Sequence, residues 1–401
     1  MKILLLADWT YPCDHQFLTN VYAENFVERG HDVTWVMRPD DPDQKRTERH
    51  TWNGSDVYVL PKTAFDPVRN YLRYRTGRIT ENALFSTDIE FADFEIVHVR
   101  NDLPMGLAAA HIANTHDVAF AHQISHLKAE SLVEAYREGF ESRAAWVKGH
   151  LGKRLRRVVA DEADLLLPIS EAMAEYLSRR GYNTPMEVLP TGTEVSDEVP
   201  NGDSFESKYS VESDHVLLYM GSMSPIRRLE FLFDVLGEVK QSHDVELFML
   251  GGRSKERRER LKRLASEAGV SSNVTFTGWI TDRDEIDAAV AAADIGLSPL
   301  PIDSVLRMNA PIKTLEYMSL ATPVVASATP DQRAVLEESD AGMAVDYDVG
   351  QFSAAIEKLL SSPEQRRQMG QRGRDYVSER RNFHVLTEKV ERMYESIVHD
   401  S

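Results

Sequence analysis

Residues 309–327 read NAPIKTLEYMSLATPVVAS. The proline starts a helix, because its fixed φ suits the first turn and its missing N–H costs nothing there. Ile312, Leu315, Met318 and Ser319 then recur at helical spacing along one face. A small-residue turn follows, and PVVAS is a short β-branched strand. Helix, tight turn and buried strand in succession form the repeating unit of a parallel α/β sheet. One carboxylate, Glu316, lies on the same face as the apolar residues. Either the helix is simply amphipathic, or the carboxylate is aimed at a ligand in a cleft.

The same unit recurs in both directions. Upstream, KILLLAD precedes a helical pattern from Gln16 to Arg29, and DVTWVM, DVYVLP, EIVHVR, VAFAHQIS, ADLLLPIS and MEVLPTG follow as strands. Residues 196–213, SDEVPNGDSFESKYSVES, are polar and turn-rich and read as a connection between domains. The alternation resumes with HVLLYMGS, a helix over 229–241, VELFMLGG, a helix over 255–268, NVTFTGW, ADIGLSPL, PVVAS and GMAVDY, with helical patterns from Phe352 onward. The reading is α/β with two doubly wound parallel-sheet domains, 1–195 and 214–382. A ligand is expected outside the carboxyl ends of the strands.

The totals fit this. A length of 401 residues with 42% hydrophobic side chains supplies two cores. The formal net charge of −18 disfavours a nucleic-acid partner. A single cysteine, Cys13, permits no intrachain disulfide and fits a reducing compartment. The apolar run at the N-terminus is too short for a signal core or a membrane span, so a cytoplasmic location is expected.

Several motifs, taken in order, resemble the retaining GT-B glycosyltransferases of family 4. They are YMGSMSPIRRLEFLFDVL, FMLGG, VTFTGW and PIKTLEYMSLATPVVAS in the second half, and ERGHDVTWV, EIVHVR, ADLLLPISEAM and VLPTGTE in the first. The resemblance implies two Rossmann-like domains facing across a cleft, with the nucleotide on the second and the acceptor on the first. It also implies that the helix at about 383–398 packs back on the first domain. The reaction implied is sugar transfer from a nucleotide-diphosphate sugar to a glycan or lipid-linked acceptor, with retention and without a bound metal or other cofactor.

Each candidate carries a bland alternative. Glu316 matches the family glutamate that holds the ribose hydroxyls; a carboxylate offers two acceptors to a vicinal diol. Otherwise it is a helix-surface glutamate. Lys313, beside Ala310, Pro311 and Ile312 at the helix start, opposes the helix dipole, and a bound diphosphate would explain it. Gly221 and Ser222 let backbone approach a ligand, and Arg227 offers a guanidinium fork to phosphate. Gly252 closes a strand-end turn, and Trp279 and Ile280 stand where the family reads the base. His126, at a strand end, is expected near the sugar. Together with Arg227, Lys313 and Glu316 it makes up the catalytic set. Asp14, His15, Arg100 and Asn101 are placed on the acceptor side.

The sequence departs from the pattern twice. Met308 replaces a glutamate seven residues before Glu316, and DWTYPCDHQF lacks the glycines usual after the first strand. Two competing functions therefore stay open: a GT-B sugar-nucleotide epimerase, and a non-catalytic relative that binds a glycan or partner. Finally, Lys153, Arg154, Arg156 and Arg157 share a helix with Trp146, Leu151 and Leu155, and NYLRYRTGR lies at 70–78. This basic material is either a peripheral membrane face or a solvated flank.

Overall fold

The computed structural model describes residues 1–196 and 198–398; Asp197, within the expected connection, lies outside the described residues. The chain forms two compact units. The first is Met1–Pro190 with the C-terminal helix Phe383–Val398, and the second is Thr191–Asn382.

The first unit holds seven strands: β1 Lys2–Tyr11, β2 Asp32–Pro39, β3 Glu48–Trp52, β4 Ser55–Val59, β5 Ile96–Arg100, β6 Ala119–Ile124 and β7 Leu165–Pro168. Their order is β3-β4-β2-β1-β5-β6-β7. β1 sits centrally, parallel to β2 and β5, with Ile3 to Leu6 wholly buried. An apolar run buried on both faces is what a parallel strand between helix layers requires. β3 pairs antiparallel with β4, and its residues ERHTW are mostly exposed. With so little apolar material, this edge strand leaves no alternation in the sequence.

The helix expected over Gln16–Arg29 forms as one unbroken helical stretch over residues 16–28, with a π-helical middle, Leu18–Asn25. The wider turn buries Leu18, Val21, Tyr22, Ala23 and Asn25 together. Two other local expectations are corrected. MEVLPTG forms no full strand: residues 185–189 make one bridge, Leu166 to Met186, and three backbone hydrogen bonds along β7 before Pro190. Pro190 within it cannot donate to a ladder. Among the described residues of 196–213 the connection is not a free linker, because helix Asp203–Tyr209 inserts Phe205 against Phe248 at 5.0 Å.

The C-terminal helix shares a core with the first unit. Phe383, Leu386, Val390, Met393 and Tyr394 join Ile3, Phe17, Leu18 and Tyr22. Tyr394 Oη lies 2.6 Å from His98 Nδ1, which ties the helix to the centre of the sheet.

The second unit holds β8 His215–Gly221, β9 Val245–Gly251, β10 Val274–Gly278, β11 Ile295–Ser298, β12 Val324–Ser327 and β13 Gly342–Val345. The order β10-β9-β8-β11-β12-β13 is all parallel. Neighbours to either side of β8 are reached by opposite crossovers, so its carboxyl end at Gly221 is the switch point where this class of sheet binds ligands.

Candidate functional site

In the second unit the backbone at the end of β8 and β9 is drawn tight. Gly221 and Gly251 have φ of 124° and 118°, and a Cβ on Gly251 would lie 2.3 Å from the Gly221 carbonyl oxygen. Gly252, at φ 73°, turns against Met223. Ser222 is exposed, and its carbonyl accepts a 2.7 Å hydrogen bond from the Tyr219 hydroxyl.

Lys313 enters this turn from the opposite side. It lies in the first turn of helix Ile312–Ser319, one residue later than the expected start, because Pro311 is the N-cap at ψ 113°. No side chain caps that helix start. The Lys313 ammonium sits 3.8 Å above the Tyr219 ring, and a Cβ on Gly221 would be 3.5 Å from it. The residue is only 6% exposed, and its Nζ has no hydrogen-bond partner. Burial first, then the neighbouring Arg227 guanidinium, push its pKa well below that of a free lysine, with Glu316 opposing. Arg227 closes the short 3₁₀ turn Pro225–Arg227 and is also hydrogen-bonded to Tyr219. Two cations thus converge on one glycine turn, one of them desolvated and unpaired. An anion is the ligand that such an arrangement favours.

Arg228 does not join them. It takes the left-handed conformation at φ 47°, and its Nη1 lies 3.1 Å from Asp303. Glu316 lies one turn beyond Lys313, its side chain 16% exposed. Burial raises its pKa, and Arg283, 3.2 Å away, is the main force holding it down. Arg283 also pairs with Asp287 at 2.9 Å. The sequence reading missed Arg283. It lies on the separate helix Arg283–Ala292, and a lone arginine in a first turn gives no signal. Met308, at the family's other glutamate position, is buried. Ala310 is buried, and its carbonyl accepts from the Thr191 hydroxyl at 3.3 Å.

Trp279 is not core. It is 47% exposed, with the Arg253 guanidinium 4.2 Å over its ring. With Ser222, Met223 and Gly252 it lines a cavity of about 780 Å³, which Arg257, Arg260 and Arg263 also line. Ile280 packs partly buried against the core beneath.

In the first unit, His15 and Arg100 come together, and Asp14 does not join them. Arg100 Nη1 donates to Asp8 at 2.7 Å, and its Nη2 lies 2.9 Å from His15 Nε2. Burial and then Arg100 lower the His15 pKa to about 4, so the neutral ring accepts from Arg100. Asp14 instead accepts from the Trp9 indole at 2.8 Å. His15 thus occupies the loop where glycines were expected. Asn101, at φ 56°, locks onto Ser125 through two hydrogen bonds. Asn101, His126 and Asp8 line a cavity of about 360 Å³ with Arg38, Asp102 and His122. His126 is solvent-exposed on that wall, and its pKa is lowered by partial desolvation, opposed by Asp8 and reinforced by Arg100 and Lys128. The sequence reading did not single out Asp8, which lies within β1, nor Arg38 or His122.

Two doubly wound α/β units, the second with glycine turns at the ends of β8 and β9, define a protein of the GT-B class. Sucrose-phosphate synthase from Thermosynechococcus elongatus has the same fold, at TM-score 0.75 with 18% identity over 100% of both chains. Residues 19–192 match the "Glycosyl transferase 4-like domain" and residues 214–362 match "Glycosyl transferases group 1". A GDP-mannose-dependent alpha-(1-6)-phosphatidylinositol monomannoside mannosyltransferase of Mycolicibacterium smegmatis is 25% identical over 58% of this chain and 62% of its own length. The protein of that name from Mycobacterium tuberculosis (strain CDC 1551 / Oshkosh) is 23% identical over 84% of this chain and 86% of its own. The chain belongs to the family 4 type of GT-B glycosyltransferases.

Proposed function

We propose that this glycosyltransferase transfers a hexose from a nucleoside-diphosphate sugar to a glycan or lipid-linked acceptor, with retention at the anomeric carbon. The observation that carries the reading is the buried, unpartnered Lys313 ammonium beside Arg227 at the Gly221 turn. A diphosphate settling there restores the lost solvation of the ammonium and accepts from the uncapped N–H groups of helix Ile312–Ser319. As the glycosidic bond to the leaving phosphate breaks, the same cations and amides stabilise the growing negative charge. Glu316, whose ionised form Arg283 favours, accepts from the two ribose hydroxyls. Trp279 and Ile280 border the base, and His126 bonds a sugar hydroxyl. We assign Asp8, His15, Arg100 and Asn101 to the acceptor side.

The proposed site includes no resident metal, and the EDTA arm of the test below decides this. The names of the mycobacterial relatives make GDP-mannose the first donor to test.

The test is thermal unfolding with UDP, GDP and their sugars, with and without EDTA. One nucleoside diphosphate raises the midpoint, EDTA changes nothing, and Lys313→Ala weakens binding roughly ten- to hundredfold, as loss of a charge-assisted contact should. A shift that survives in Lys313→Ala overturns the site. The product's anomeric configuration, read by NMR, decides retention.

A further inference from the structure

The first-unit cavity opens through Pro67, His126, Lys128 and Lys148, all exposed. Phe65, Leu132, Leu151 and Leu155 make its apolar wall. Two elements flank the opening: helix Pro67–Arg75, and the pair of helices Lys128–Arg137 and Arg143–Asp161.

These elements carry most of the large apolar side chains left in water. Val68 is 52% exposed, Leu72 58%, Tyr136 37%, Phe140 42% and Val147 53%. Among the described residues the other three are Val199, Trp279 and Ile302, all in the second unit. Loose packing is not the cause, because the helix pair is clamped along its length. A Cβ on Gly149 would lie 2.6 Å from the Ala129 carbonyl oxygen, and Arg156 pairs with Glu130 in the buried seam. At the tip, Trp146 lies 4.3 Å from His150 and 6.3 Å from Tyr136, an aromatic cluster of the kind favoured at a bilayer interface.

Charge separates this face from the rest of the protein. Residues 62–81 hold five Lys or Arg against two Asp or Glu, and residues 128–157 hold eight against four. That is an excess of seven cations within a chain of net charge −18. Not all of the basic residues singled out from the sequence contribute. Arg156 is buried, and Arg157 is spent on the Gly181 carbonyl at 2.6 Å. Lys128 and Lys148, by contrast, make no ion pair among the described residues.

Exposed aliphatic and aromatic side chains interspersed with unpaired cations match the acyl boundary and phosphates of an anionic bilayer. We propose that helix Pro67–Arg75 and the Tyr136–Lys148 tip form a docking face for anionic phospholipid membrane. It brings the polar head of an amphiphilic acceptor into the cavity they flank while the acyl portion stays in the bilayer. The acceptor part of this inference rests on the glycosyltransferase reading above; the docking face does not.

The test is co-sedimentation of the full chain, without nucleotide, with phosphatidylcholine vesicles and with vesicles that also contain phosphatidylglycerol. Binding is expected only to the anionic vesicles and is expected to weaken with salt. The Leu72→Ser/Phe140→Ser/Val147→Ser variant should bind roughly tenfold more weakly, through lost apolar insertion. Lys148→Glu with Arg143→Glu should do the same through charge. Nucleotide-dependent thermal shifts, measured without vesicles, should be unchanged in both variants, which separates this result from the fate of the donor site. No binding to either vesicle, equal binding to both, or full binding by the serine variant overturns the proposal.

Discussion

Lys313 and Glu316 are only three residues apart on one helix, yet their environments differ. The ammonium is buried without an acceptor, whereas the carboxylate has Arg283 at 3.2 Å. In the proposed donor site, a diphosphate bound beside Lys313 would supply the acceptor and the opposite charge that its buried amine lacks. Arg283 is the main force opposing the rise that burial gives the Glu316 pKa. Without it, burial and Asp287 are opposed only by the weaker pull of Lys313. In Arg283→Ala, nucleotide affinity should fall and should partly recover as pH rises and the carboxyl deprotonates; the native protein should show a flatter profile over the same range. Calorimetric titration at several pH values checks this. A pH-independent loss would mean that Arg283 acts only by packing. The choice of Glu316 and Lys313 was legible because their spacing from the proline and from PVVAS is local. Arg283 was not, because its role exists only once another helix is laid beside theirs.

At the level of elements, the turn that ends β8 depends on close backbone approach. Gly251→Ala would place a methyl group 2.3 Å from the Gly221 oxygen, at a φ of 118° that other residues rarely adopt. The ends of β8 and β9 must then part. The variant should lose roughly 2–4 kcal/mol in chemical denaturation, in the range of severe backbone and overpacking effects, and should bind nucleotide more weakly than its residual fold predicts. An alanine variant with native affinity would show that the strand ends do not set the site. Every strand except the edge strand β3 was read in advance from its apolar run. The elements missed were held by something non-local. The exposed edge strand β3 is defined by its partner β4, and helix Asp203–Tyr209 is anchored by Phe205 on Phe248.

Over the whole molecule, the acid sensitivity that buried histidines bring should concentrate in the first unit. His98 is fully buried with its pKa lowered to about 3, and His122 is 1% exposed with its pKa at about 4, in both cases chiefly by desolvation. In the unfolded chain each titrates near pH 6.5. Between that value and about 4 the unfolded state binds protons that the native state refuses, so stability falls as pH falls. The slope should approach about 1.4 kcal/mol per pH unit for each histidine. Denaturant titrations at pH 7 and pH 5 measure it, and His122→Asn should remove about a third, His98 and His15 supplying most of the rest. An unchanged slope in that variant would assign the acid sensitivity to other groups.

The sequence by itself determined which segments become strands, where the glycine and proline punctuation ends them, and which cation and carboxylate share the Ile312–Ser319 helix. All of these are fixed within a few residues of chain by sterics and periodicity. Tertiary structure alone decided what each charge meets. It set Arg227 beside Lys313, paired Arg283 with Glu316 and Arg100 with Asp8 and His15, and took Arg156 out of the basic surface by burying it against Glu130. The free energy of a charge depends on its solvation and on neighbours distant in the chain, and packing supplies both.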